Sequence, residues 1–308
     1  MSASSTKVIY AALAGNTLIA ITKFIAASIT GSSAMLSEGI HSLVDTGNQG
    51  LLLHGLKQSK KPADERFPFG HGKEIYFWSF VVAILVFALG SGISIYEGIR
   101  HILEPEPINN PMLNYIVLGL AIVFEGFAWF FALTEFTKTK GKWGYIEAVQ
   151  RGKDPTLFVV LFEDSAAMLG LLVALLGLLL TQYTGILIFD GIASVVIGLI
   201  LAGTAIWLAY ETKGLLIGES ANKNVVEGIR KFVALHSEVR ATNEIITMHM
   251  GPDFILLNLS IDFYDDMDTS ELKQIIHKID RGIKAQFPMV KRIFIEAEAP
   301  KPAASIDE

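Results

Sequence analysis

Apolar residues dominate six stretches of the chain, at about 8–30, 34–56, 75–96, 113–133, 157–180 and 186–210. Each approaches the roughly 20 residues a helix needs to cross a ~30 Å hydrocarbon layer, so the pattern predicts six transmembrane helices. Polar side chains interrupt them at particular places: Asn16 and Lys23 in the first, Glu38, His41, Asp45 and Asn48 in the second, Glu125 in the fourth, Glu163 and Asp164 in the fifth. After Tyr210 the pattern becomes that of a soluble α+β domain. Val226, Ile229, Phe232 and Val233 recur at helical spacing, and a strand is expected at 244–250 before the turn Gly251-Pro252-Asp253. Ile255, Leu257, Leu259, Ile261 and Phe263 then alternate with Leu256, Asn258, Ser260 and Asp262, the period-2 signature of a strand buried on one face. Asp268 with Glu271 forms a capping-box start for a helix carrying Leu272, Ile275, Ile276, Ile279 and Ile283, which stops at Phe287-Pro288, and a last strand is predicted at 290–297. The order αββαβ suggests a small open-faced sandwich of ferredoxin-like or metallochaperone-like type. The expected division is a helical membrane domain at 1–212, this α+β domain at 213–299 and a disordered acidic tail at 300–308.

Composition narrows the class. The chain has 308 residues, 51% of them hydrophobic, with a net charge of −6, which disfavours nucleic acid as a partner because phosphate binding needs a concentrated basic surface. It contains no cysteine, which excludes disulfides, thiol catalysis and thiolate metal sites. The first apolar run is too long for a signal-peptide core and lacks a clear cleavage site, so an uncleaved first span is expected. The absence of a longer presequence favours a bacterial inner membrane. Lys57, Lys60, Lys61, Arg66 and Lys73 follow the second span, and Lys138, Lys140, Lys142, Arg151 and Lys153 follow the fourth, whereas the alternate loops hold almost no net positive charge. By the positive-inside bias both termini are expected in the cytoplasm.

The candidate chemistry lies in the second span. Positions i and i+4 of a helix share a face, so His41 and Asp45 aim an imidazole and a carboxylate at one point, and Asn48 extends that face. An ionisable side chain at the bilayer centre costs at least about 2.5 kcal/mol and usually marks an ion path, although a His–Asp hydrogen bond could instead fasten two helices. Asp164 supplies a second buried carboxylate from the fifth span. Two anions and an imidazole suit a divalent cation. Glu125 is a candidate proton relay or a helix-packing partner. No His-Glu-x-x-His occurs and no nucleophile is paired with a base, so an intramembrane metalloenzyme is not supported.

Six spans with both ends inside, Ser37-x3-His41-x3-Asp45-x2-Asn48, the loop Phe69-Gly70-His71-Gly72-Lys73 and an αββαβ domain together resemble the cation diffusion facilitator family of dimeric, proton-coupled divalent metal exporters. The run Lys153-Asp154-Pro155 with Leu161-Phe162-Glu163-Asp164-Ser165-Ala166-Ala167 is most similar to the branch that includes human zinc transporter nine. The resemblance implies an exporter that works by alternating access as a homodimer, with zinc as transported substrate and iron, cobalt or manganese as further cargo. It implies no catalytic residues and no resident cofactor, and a C-terminal domain with a dimerising or regulatory role. Metal ligands would be His41, Asp45 and Asp164. The family's fourth position falls on Val160, which cannot coordinate and leaves that place to water, Asn48 or, lower in rank, Glu163, turned about 100° from Asp164. Asp64 and His71 match a weak accessory metal site whose middle position is Phe67, although they read more readily as turn residues and a cap on the third span. The bridging ligands of the C-terminal domain would fall near Asn258, Glu296 and Glu298, a set without histidine. A sensor or scaffold with a degenerate transport site is the alternative that Val160 leaves open.

Overall fold

The computed structural model describes the backbone of residues 3–299 and, apart from positions 150 and 157, the side chains of residues 16–299. The acidic tail expected at 300–308 lies outside the described residues. The chain divides into two compact units, one built from residues up to Gln58 and from Glu74–Lys213, the other from Ser59–Lys73 and the residues from Gly214 onward.

The first unit is helical. It consists of α1 (Ala3–Thr30), α2 (Ser33–Ser59), a rod made of α3 (Glu74–Leu85), a π-helical stretch (Val86–Ser91) and α4 (Gly92–Leu103), then α5 (Pro111–Lys140), the short α6 (Tyr145–Arg151), α7 (Pro155–Thr184) and α8 (Ile188–Ile217). Four rods, Glu74–Leu103, Pro111–Lys140, Phe158–Thr184 and Ile188–Ile217, are long and apolar enough to cross a membrane, while the apolar described part of α1 is Asn16–Thr30. The helix α2 is of comparable length but buries Glu38, His41, Asp45 and Asn48. Helix ends follow their caps. Pro155 opens α7 because its missing N–H is one that the first turn leaves unbonded anyway, and the Asp154 carboxylate accepts from the Thr156 N–H at 3.0 Å. At the other end Gly185, at φ 73°, adopts the left-handed conformation that closes the helix, and its N–H reaches the Thr181 carbonyl at 3.0 Å.

The bundle is gathered on α2. Its Gly39 lies against the Phe24 ring of α1 and its Gly55 against Trp78 of α3. Towards α8, Ser37 Oγ and Ser194 Oγ are 2.5 Å apart, and Ser194 Oγ also donates to the Ser94 carbonyl of α4 at 2.8 Å. The first turn of α2 is capped from outside, since the buried Asp190 of α8 accepts from Ser32 Oγ at 2.6 Å, Ser33 N at 2.5 Å and Ser33 Oγ at 3.0 Å. A carboxylate there satisfies orphan N–H donors and complements the positive end of the helix dipole.

The second unit contains α9 (Lys223–Val233), β1 (Val239–Gly251), β2 (Phe254–Phe263), α10 (Thr269–Gln286) and β3 (Val290–Ala297). The sheet order is β1-β2-β3, with β1 antiparallel and β3 parallel to the central β2. Ile255, Leu257, Leu259 and Ile261 pack with Ile229, Val233, Ile275, Ile279 and Ile283 in one core. The alternate positions Ser260 and Asp262 are also buried, so the opposite face of β2 is less open than strict alternation implies. The capping box is present: Asp268 Oδ1 accepts from Ser270 N at 2.7 Å and Glu271 N at 2.9 Å, while Glu271 Oε2 accepts from Asp268 N at 3.2 Å. Grouping of loop 59–73 with this unit was not apparent from sequence. It follows from a backbone approach so close that any side chain at Gly72 would strike the Met250 carbonyl, and from Lys73 Nζ lying 3.5 Å from the Leu216 carbonyl.

Ile279 is fully buried in this core, and truncating such a side chain costs about 2–5 kcal/mol through lost burial and the cavity left behind. Ile279→Ala should therefore lower the melting temperature of the C-terminal unit in calorimetry of the full chain in detergent, and an unmoved transition would contradict the packing described.

Candidate metal-ion site

Helical periodicity brings His41, Asp45 and Asn48 onto the buried face of α2. His41 Nδ1 and Asp45 Oδ1 are 3.3 Å apart. Neither ring nitrogen of His41, nor Asp45 Oδ1, nor Asn48 Oδ1 has a hydrogen-bond partner among the described residues. Four buried lone-pair or proton-bearing positions are thus left open in one place, where each unsatisfied polar group carries a desolvation cost of about 1–3 kcal/mol.

From α7 it is Glu163 that enters this cluster. Asn48 Nδ2 donates to Glu163 Oε1, and the carboxyl groups of Asp45 and Glu163 lie within hydrogen-bonding reach of each other. Asp164 is half-buried and lies in electrostatic range of Asp45 and Glu163, as does Glu125. The sequence reading placed Asp164 at the site and ranked Glu163 below Asn48; in the structure the hydrogen bond from α7 to Asn48 of α2 is made by Glu163. The reason is the rotation of α7: Gly170, seven residues on from Glu163 and so on the same face, lies against Glu38 of α2, which fixes the 163–170 face inward. Val160 lies on the flank of Asp164, while Val159, four residues before Glu163, is completely buried. No three His, Asp or Glu side chains among the described residues stand close enough to hold an ion together.

The loop pair Asp64 and His71 forms a closed turn. Asp64 Oδ2 lies 2.9 Å from His71 Nε2, Asp64 Oδ1 accepts from Phe67 N at 2.7 Å, and the Phe67 and His71 rings are 4.6 Å apart. The hydrogen bond from His71, followed by that from the Phe67 N–H, holds the Asp64 carboxyl below its ordinary range. In the second unit Asn258 Nδ2 donates to Glu296 Oε1 at 3.2 Å and Ser260 Oγ to Glu298 Oε2 at 2.5 Å, so these side chains are tied to one another across β2 and β3.

Residues 9–217 match the cation efflux transmembrane domain. The chain belongs to the cation diffusion facilitator family. Within that family it lies on the SLC30A9-like branch. It is 33% identical over 259 residues to the proton-coupled zinc antiporter SLC30A9, mitochondrial, of Xenopus laevis, covering 83% of this chain and 46% of the relative. The human SLC30A9 is 32% identical over the same length and the same shares. The cation-efflux pump FieF of Cronobacter sakazakii is 27% identical over 274 residues, 88% of this chain and 85% of the pump. The chain thus spans about half the length of the SLC30A9 relatives, and none of these three names describes an enzyme. The chain is a multi-pass membrane protein of this family.

Two outcomes follow from the geometry. In equilibrium zinc-binding titrations of the full chain, Glu163→Gln should weaken binding at least about tenfold, a loss of about 1.4 kcal/mol, and by more than Asp164→Asn does; the opposite order would place Asp164 on the ion. At the loop, a carboxyl held low contributes stability that is present above its unfolded value and is lost as pH falls through the folded value. His71→Ala should therefore move the Asp64 titration, followed by carboxyl-labelled NMR, to higher pH, and an unmoved titration would mean that the imidazole is not what holds it down.

Proposed function

We propose that the protein exports divalent metal cations, zinc foremost and iron, cobalt or manganese as further cargo, in exchange for protons. The carrying observation is the meeting of the Asp45 and Glu163 carboxyls beside a His41 whose two ring nitrogens have no hydrogen-bond partner among the described residues. Two carboxylates in contact at bilayer depth need either a proton or a cation between them, because neither charge is otherwise compensated. A site stable with one or the other occupant, but not with neither, supports exchange. Imidazole adds to this, since in its neutral form each bare ring nitrogen is a lone pair for a metal ion. His41 and Asp45 of α2 and Glu163 of α7 are the proposed inner ligands, drawn together when an ion enters, with Asn48 completing the shell and Asp164 and Glu125 as nearby charges that receive or pass protons.

In this reading α1, α2, the α3–α4 rod, α5, α7 and α8 are six spans with both termini in the cytoplasm, and the α+β unit joins two copies in a homodimer. A bacterial inner membrane is supported by the similarity to the bacterial pump FieF, of which the matched region covers 85%. A sensor or scaffold with a dead site is the second reading, favoured by the absence of a three-ligand cluster among the described residues.

The deciding measurement is metal-driven proton movement in proteoliposomes carrying the full chain. Zinc on one side should drive protons to the other, and Asp45→Ala should reduce the flux to the level of empty liposomes while leaving a folded protein. Silence of the wild type towards zinc, iron, cobalt and manganese alike would reject export in favour of the sensor.

A further inference from the structure

The inner face of α2 stays polar well beyond the proposed ion site. On the side leading to Gly31 and the uncharged first loop, His41 is followed by Glu38, Ser37 and Ser33, all buried. Glu38 lies one helical turn from His41, about 4.5 Å along the axis. A fully buried cation from another helix meets it there. Lys23 Nζ of α1 is 3.1 Å from Glu38 Oε2 and donates to Ser42 Oγ at 2.7 Å, and both Lys23 and Glu38 side chains are 0% exposed. The other carboxylate oxygen, Glu38 Oε1, has no hydrogen-bond partner among the described residues and sits where a side chain on Gly170 of α7 would have to be. Three helices thus converge on one ion pair, at the end of a hydroxyl-lined strip that leads from the site towards the neutral loop.

We propose that Lys23 and Glu38 form the gate on this side of the ion site, with the Lys23 ammonium as a tethered stand-in for the cation in transit. The inference rests on the export reading above. A pair that served only to fasten α1 to α2 would have no need of half a carboxylate left unsatisfied and facing α7. Pairing with half of Glu38 neutralises its charge while the path is shut, and the open oxygen offers a departing divalent ion a first contact before the ammonium is displaced. A divalent ion outcompetes a single ammonium for a carboxylate because it carries twice the charge. The absence of a side chain at Gly170 lets the open Glu38 oxygen lie directly against α7, the helix that also carries Glu163. Lys23 and Glu38 are positioning residues and do not ligate the ion in its resting site.

Removing one partner of a buried ion pair leaves an unpaired charge and commonly unfolds the protein, whereas replacing both with apolar residues of similar size is often tolerated. The test therefore uses the double variant Lys23→Met with Glu38→Leu and the swap Lys23→Glu with Glu38→Lys, both in the full chain. Zinc affinity is read by calorimetry in detergent and zinc flux in proteoliposomes. The apolar pair should bind zinc within about threefold of wild type but turn over at less than a tenth of its rate, because packing closes the path with no charge for the ion to displace. The swapped pair should recover at least a third of the wild-type rate. Wild-type flux in the apolar pair would reduce Lys23 and Glu38 to a fastener, and a zinc affinity weakened tenfold or more would assign them to the ion site itself; either result overturns the gate. A wild-type chain that binds no zinc would reject the export reading and the gate with it, which keeps the two failures distinct.

Discussion

Lipid offers no solvent for charge, and everything in the helical unit answers to the charges that α2 takes into it. Burying Glu38, His41, Asp45 and Asn48 on one helix is tolerable only if neighbouring helices deliver partners at matching depth, since each uncompensated group costs several times the thermal energy. Lys23 arrives from α1 to meet Glu38, and Glu163 arrives from α7 to meet Asn48 and Asp45. These two meetings fix the rotation of α1 and α7 about their axes more firmly than apolar packing does, because lipid tails and leucines are equally apolar and give helices little reason to prefer one face.

Close backbone approach supplies the rest of the order. Gly98 of α4 and Gly191 of α8 each face the other helix without room for a side chain, as does Gly198 of α8 against Ile95 of α4. Small residues let helices approach until dispersion and interhelical hydrogen bonds act, and the hydrogen bonds from Ser37 Oγ to Ser194 Oγ and from Ser194 Oγ to the Ser94 carbonyl run along this contact. Asp190 then fixes the α2 N-terminus, so the helix that carries the site is held at its end and at two points along its length. The His101 ring of α4 lies 3.8 Å from Asp190 Oδ2.

The second unit is stabilised on different terms. Its isoleucine-rich core is removed from water, where burial of apolar area is itself favourable, so pattern alone suffices to specify it. Loop 59–73 continues directly from α2 and packs with this unit through Gly72 and Lys73.

What was legible in the sequence alone is the set of elements and the helix face on which the candidate chemistry lies. Each apolar run lies within a long helix, since length and hydropathy are local properties, and the alternation in β2 and the Asp268–Glu271 capping box are equally local. His41, Asp45 and Asn48 were legible as one face because a single helix fixes their spacing. The tertiary structure decided what no spacing within one element contains. Glu163 and Asp164 are neighbours on α7, and only the packing of Gly170 against Glu38 determines which of them turns inward. The caps on α2 come from Asp190, more than 150 residues away in sequence, and the partner of Glu38 comes from Lys23 on another helix. Contacts between elements depend on axial rotation and depth, which side-chain pairs set across the chain, and a linear pattern carries no record of them.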